Sequence, residues 1–263
     1  MNIATVQTSL RNQGIDCIWH AQCAHLEQKA TSLPFLQHEL IINLGEKFEV
    51  SGAREIENVI LSPITSQAFQ TAVGGRYETL GLMFNPIGIY YNFGVSVPEL
   101  AQVDRLDDLF FRRDLSILDR LADTSDQIFK LHLVRDIFTK YSVRKQAPIQ
   151  VIQYFQALQA KGPSQIQRLA RDIAVSSKHL RSSFKDVVGV SPKMHLQLLQ
   201  LRQVLTSLAT RTDLNLTEVA LRHGFYDQSH FIRKFKQFSG MTPSAYRQQV
   251  QQQVHQFYHT LLQ

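Results

Sequence analysis

Two stretches of this 263-residue chain carry the same frame of apolar residues, glycine and proline, 51 positions apart. Leu180, Phe184, Lys185, Gly189, Ser191 and Pro192 correspond to Phe231, Phe235, Lys236, Gly240, Thr242 and Pro243, and Ala170 stands 50 positions before Ala220. A chain that writes one unit twice is expected to fold it twice. Each unit runs helix, short turn, helix, glycine, then Ser-Pro or Thr-Pro. Glycine takes the left-handed conformation that closes a helix, a hydroxyl caps the next one, and proline suits its first turn. Two tandem helix-turn-helix units are therefore expected.

The second helix of each unit divides into two faces. In the first, Leu180, Ser183, Phe184 and Val187 form a stripe that can bury, and Lys178, Arg181, Ser182 and Lys185 lie opposite with no acid among them. In the second, Phe231, Phe235 and Phe238 face inward and Gln228, Ser229, Ile232, Arg233 and Lys236 outward. Such outer faces suit the major groove of DNA. Arg or Lys pairs with guanine, Gln with adenine, Ser with either, and an aliphatic group meets the thymine methyl. An ordinary solvated helix face is the plainer alternative, and the duplication argues against it.

The stretch Ala220-Leu221-Arg222-His223-Gly224-Phe225-Tyr226-Asp227-Gln228-Ser229-His230-Phe231, with Arg233-Lys234-Phe235-Lys236, Gly240, Thr242-Pro243 and Tyr246-Arg247, resembles the C-terminal signature of the AraC/XylS transcription regulators. The resemblance runs from about Ile149 to Gln248 and includes Ile166-Gln167-Arg168-Leu169-Ala170 and Val188-Gly189-Val190-Ser191-Pro192. It implies seven helices, with two recognition helices entering successive major grooves on one face of DNA. Carried over position by position, Lys178, Arg181 and Ser182 would read bases from the first, and Gln228, Ser229 and Ile232 from the second. Lys185, Arg233 and Lys236 would hold phosphates.

Between the units, Leu198, Leu201, Leu205 and Leu208 recur at helical spacing after Pro192. About 16 residues at ~1.5 Å each make a rod of roughly 24 Å, to be compared with the ~34 Å between successive grooves. Charge follows the same division. Residues 146–263 carry 14 Lys and Arg against 5 Asp and Glu, net +9, whereas residues 1–145 carry 14 against 17, net −3. A positive field on one half favours salt-sensitive phosphate contact and specifies no sequence.

The N-terminal half has short apolar runs separated by turn signals. His38 to Leu44, Val59 to Ile64, Ala68 to Val73 and Tyr77 to Phe84 are expected strands, divided by Gly45, Ser62-Pro63 and Gly74-Gly75 and followed by Pro86-Ile87-Gly88. With Glu39-Leu40-Ile41-Ile42-Asn43-Leu44-Gly45, Gly81 to Tyr90 and Phe93-Gly94, roughly residues 10 to 110 resemble the cupin-like sensor domain found ahead of this DNA-binding module. Phe84, Tyr90, Tyr91 and Phe93 are candidates to line an effector pocket, with simple barrel core as the alternative. Cys17, His20, Cys23 and His25 do not have the spacing of a standard zinc finger, so no metal and no cofactor is expected.

Helices are expected at about 105–121 and 126–141, the second capped by Ser125 or Asp126. Pro148 favours a boundary near Lys145. The resulting fold class is α+β and multidomain: a cupin-like β-barrel sensor domain at 1–105, linker helices at 106–145, an all-α DNA-binding domain with two helix-turn-helix units at 146–250, and a C-terminal tail at 251–263. No run of eighteen apolar residues and no leader pattern occurs, and the chain has two cysteines, so a cytoplasmic protein is expected, and the resemblance implies a non-enzymatic, sequence-specific bacterial transcription regulator. Promoter DNA is the expected partner, with RNA polymerase, a small-molecule effector and a second copy of the chain as further candidates, and no membrane. A DNA-repair methyltransferase carrying the same DNA-binding module is the alternative. It requires four cysteine ligands where this chain has Cys17 and Cys23 alone.

Overall fold

The computed structural model describes residues 2–7, 10–50, 54–56, 59–100, 116–161 and 178–251. Its first half is an antiparallel sheet of β1 (Asn2–Gln7), β2 (Ile15–Ser32), β3 (His38–Asn43), β4 (Phe48–Val50), β5 (Arg54–Ile56), β6 (Val59–Ser62) and β7 (Phe69–Phe84). The main order is β1-β2-β7-β3-β6. β7 holds the sheet together, pairing with all of β2, with β3 over Thr79–Phe84 and with β4 over Thr71–Val73.

The two runs expected at Ala68 to Val73 and Tyr77 to Phe84 are one strand. Gly74-Gly75, expected as a turn, instead lies in the ladder opposite Glu27 and Leu26, where the register shifts between Cys23 and Leu26. Gly75 has φ 102°, a backbone that a side chain rarely adopts, so the pair makes a bulge and lets the strand continue. β1 and β2 were not expected at all. β2 carries too many polar residues to show strict alternation, and its outer half is largely exposed.

One face of the sheet buries Ile18, Leu40, Ile42, Leu80, Leu82 and Phe84 beneath α1 (Gly88–Phe93), α2 (Val97–Leu100), α3 (Ser116–Ala122) and α4 (Gln127–Tyr141). Asp126 caps α4 by accepting from the N–H groups of Ile128 and Phe129, as its sequence position predicts. The expected helix at 105–121 is described only from Ser116 onward, since residues 101–115 fall outside the described set. Lys130 of α4 reaches down to Glu78, which also meets His20 Nε2 at 3.2 Å, tying the helix to the sheet through buried polar groups. The other face carries Trp19, Ala21 and Met83, and Trp19 Nε1 donates to the buried Glu39 carboxylate at 2.8 Å.

The second half is helical: α5 (Ile149–Lys161), α6 (Lys178–Val188), α7 (Pro192–Thr210), α8 (Leu216–Arg222), α9 (Gln228–Ser239) and α10 (Pro243–Gln251). The segment 162–177, which contains Ile166-Gln167-Arg168-Leu169-Ala170, lies outside the described residues. The repeat is visible in the backbone. Gly189 and Gly240 stop α6 and α9 with φ 80° and 74°. Ser191 caps α7 by accepting from Met194 N–H, with Pro192 in its first turn. Phe184, Val187, Leu201, Val204, Phe231 and Phe235 are buried in one core shared by both units.

That core also takes residues from the sheet. Leu36 and Ile64 are buried in it, Tyr90 packs against it, and α2 packs against α6. Buried His38 accepts from Ile64 N–H at 3.2 Å and lies beside Gly189, fixing one loop of the sheet against the end of α6.

Candidate nucleic-acid interface

α6 and α9 are the described helices that the 51-residue repeat brings into register, and each buries one face. In α6, Phe184, Val187 and Val188 are buried, while Lys178, Arg181, Ser182 and Lys185 are exposed. Asp186 is exposed at the flank of this cationic face. In α9, Phe231, Phe235 and Phe238 are buried, and Gln228, Ser229, Arg233 and Lys236 are exposed. Asp227 caps α9 by accepting from His230 N–H at 2.7 Å, and a capping box between Asn215 and Glu218 starts α8. These caps satisfy backbone donors that otherwise lack partners, so the ends of the short α8 and α9 are set by local chemistry.

Ile232 is less outward than expected, and Gln228, exposed as expected, carries a contact that periodicity does not show. Ile232 is half-buried and packs against the helical core, so only part of its side chain faces outward. Gln228 Oε1 accepts from the Thr217 hydroxyl at 2.9 Å, which couples α9 to α8 and leaves the amide group of Gln228 to donate. Tyr226, part of the signature stretch, belongs to neither of the expected helix faces. It stands immediately before α9 and is 89% exposed, a large aromatic ring left in water. An aromatic inside the turn of a helix-turn-helix unit was its one visible signal.

α7 spans Pro192–Thr210, 19 residues. At ~1.5 Å per residue this is about 28 Å, closer to the ~34 Å groove repeat than the shorter rod expected from the leucines. Leu198, Leu201, Leu205 and Leu208 are all buried along it.

Three of the four rings proposed for an effector pocket divide between two cores, and the fourth, Tyr91, is half-buried. Phe84 and Phe93 pack edge-on at 6.0 Å, and both contact Phe138, at 5.9 and 5.8 Å. Tyr90 turns to the helical core and takes Lys145 Nζ over its ring at 4.5 Å. The Phe84, Phe93 and Phe138 rings fill one another's space as core. The Cys17, His20, Cys23 and His25 series also separates: His20 points to the Glu78 side of the sheet, Cys17 to the Trp19 side, and the Cys23 thiol donates to His25 carbonyl oxygen at 3.2 Å. Among the described residues, no group of three or more His, Cys, Asp or Glu is placed to hold a metal. Burial, then the carboxylates of Glu39 and Asp16, push the Cys17 thiol up to about 11, the reverse of what a reactive thiolate needs. Among the described residues no helix is long and apolar enough to cross a membrane.

This pair of solvent-facing helices on a shared core defines a class. A family model described as a helix-turn-helix domain matches residues 169–249. The MmsAB operon regulatory protein of Pseudomonas aeruginosa is 32% identical over 88 residues, 34% of this chain and 28% of that protein. The probable thc operon regulatory protein of Rhodococcus erythropolis is 28% identical over 95 residues, 35% of this chain and 28% of that one. The chain thus spans under a third of the length of these curated relatives. ToxT from Vibrio cholerae aligns over 87% of this chain and 97% of its own with a TM-score of 0.43 and 13% identity. The C-terminal part of the chain carries an AraC-type helix-turn-helix domain.

Proposed function

We propose that the protein is a sequence-specific DNA-binding regulator of transcription in which residues 146–250 read DNA and residues 1–105, joined through 106–145, modulate the reading. The observation that carries this is the pair α6 and α9, each with a polar face in solvent that carries Lys and Arg, set on a common core with α7. Lys178, Arg181 and Ser182 take bases in one major groove, and Gln228 and Ser229 in the next, with Ile232 offering a partial apolar edge. Lys185, Arg233 and Lys236 hold phosphates. Tyr226 adds an exposed ring beside the second groove. A regulator of bacterial promoters works in the cytoplasm.

The test is selection of sites from a random DNA pool by the full chain, repeated with Arg181→Ala. A bipartite motif with half-elements one helical turn apart is expected, with the element nearer α6 degraded in the variant. Failure to enrich any motif would overturn the proposal.

A further inference from the structure

Behind α9, on the side away from its exposed polar face, lies a half-open cleft of about 260 Å³ against α7. Its floor is apolar, made by Leu201, Val204, Phe235 and Phe238, all nearly or fully buried. Its polar groups are Gln197, Gln200, His230 and Lys234. We propose that this cleft binds a small, largely apolar anion, an aromatic or short-chain carboxylate, and that its occupancy sets how α9 is held for reading DNA. The inference rests on the DNA-binding function proposed above and supplies an effector site for it.

Three features favour an anion with an apolar body. The lining includes no acidic residue, and Lys234 Nζ hydrogen-bonds the neutral Gln237 Oε1 at 3.1 Å, so its charge has no carboxylate partner among the described residues. His230 lines the cleft, and its Nδ1, buried from water and without a hydrogen-bond partner among the described residues, is met by a ligand only when the ring turns. Gln200 Nε2 donates to His223 carbonyl oxygen at 2.6 Å, and among the described residues no hydrogen bond engages the Gln197 amide or the Gln200 side-chain oxygen. Apolar floor, few convergent polar groups and a volume just below that of drug-sized sites match a fragment-sized ligand.

Position supplies the link to DNA. At 100° per residue, His230, Lys234 and Phe238 form a stripe of α9 about 130° round the helix from Ser229, Arg233 and Lys236. A ligand there leaves the DNA face clear and wedges α9 against α7. Phe238 lines the cleft, and its carbonyl accepts from Ala68 N–H at 2.9 Å, so the same turn of α9 answers to the cleft and to the sheet.

The experiment titrates the full chain with 1-naphthoate by calorimetry, with naphthalene-1-methanol as the neutral counterpart, and then measures affinity for the selected DNA site with and without saturating naphthoate. Lys234→Gln removes the charge and Gln197→Trp fills the cleft; thermal melting verifies that each is folded. One-site binding of naphthoate is expected, weakened at least about tenfold by Lys234→Gln and abolished by Gln197→Trp, with DNA affinity moved about fivefold or more in the wild type, the scale of ordinary allosteric coupling. Absence of saturable binding, equal binding by both variants, or unchanged DNA affinity would overturn the proposal. Naphthoate binding that obeys both variants in a protein enriching no DNA motif would uphold the cleft as an anion site and overturn the regulatory function instead.

Discussion

Ala68 N–H donates to the carbonyl of Phe238 at 2.9 Å, joining the loop before β7 to the last turn of α9. The two residues belong to different halves of the molecule, and the bond ends on α9. With Leu36 and Ile64 buried in the helical core and α2 against α6, both α6 and α9 are touched by the N-terminal half.

Ala68→Pro deletes that donor and restricts Gln67. A loss of roughly 1 kcal/mol of stability is expected, the worth of one hydrogen bond. Because the bond ends on α9, affinity for the selected DNA site should change as well. Unfolding in urea and DNA titration of the same variant would show it; an unchanged DNA affinity at reduced stability would deny the bond any part in positioning α9.

Gly189 and Gly240 occupy equivalent places in the two units with nearly the same φ, 80° and 74°, yet their surroundings differ. A Cβ on Gly189 would stand 2.7 Å from Val97 Cγ1, whereas one on Gly240 meets nothing within 4 Å. Gly240→Ala should therefore cost only the left-handed backbone penalty, of order 1 kcal/mol. Gly189→Ala should cost visibly more, with the excess recovered in the double variant with Val97→Ala. Denaturant melts of the three proteins decide it, and equal losses for the two single variants would refute the contact.

Arg181 lies on the exposed face of α6, proposed above to read bases, and Arg233 on the exposed face of α9, proposed to hold a phosphate. Arg181→Ala should cost about 1–3 kcal/mol on the selected site and relax one base position. Arg233→Ala should weaken selected and random DNA alike and lower the salt dependence by about one phosphate contact. Competition binding at two salt concentrations separates the cases. Equal loss on both DNAs for Arg181→Ala would remove it from base reading.

Glu39 is buried beside Trp19, and burial pushes its carboxyl up to about 7, with the Trp19 N–H drawing it partly back. The folded state then holds a proton that the unfolded chain, with a carboxyl near 4.5, has released. Stability contributed by the neutral acid is complete below about 4.5 and lost as pH rises to about 7. Glu39→Gln keeps an acceptor for Trp19 and carries no charge. It should stabilise the protein at pH 8 by roughly 1–3 kcal/mol and flatten this part of the pH profile. Urea melts at pH 4.5 and 8 test it; a variant with no gain at pH 8 would show that Glu39 stays ionised without penalty.

Local chemistry made the helical half legible. Glycine in the left-handed region, Ser191-Pro192 at a helix start and phenylalanines at helical spacing act within a few residues, and their repetition 51 positions later marked both units before any contact was known. The exposed faces of α6 and α9 followed, because a helix that buries one stripe must offer the other. The sheet was less legible. β2 alternates poorly because its inner part is buried on both faces and its outer part on neither, so its polar residues concealed an 18-residue strand. Gly74-Gly75 carries the composition of a turn, and only pairing along β2 makes it a bulge.

Sequence by itself determined the duplicated units, their caps, and the cationic side chains available to meet DNA, since these depend on spacing and residue type over short range. Tertiary structure alone decided that Phe84 and Phe93 are core around Phe138, that Gln228 is held by Thr217, that Ala68 grips Phe238, and that a cleft opens behind α9. The physical reason is the same in each case: these features arise where segments distant in the chain meet, and side-chain periodicity within one segment carries no information about what packs against it.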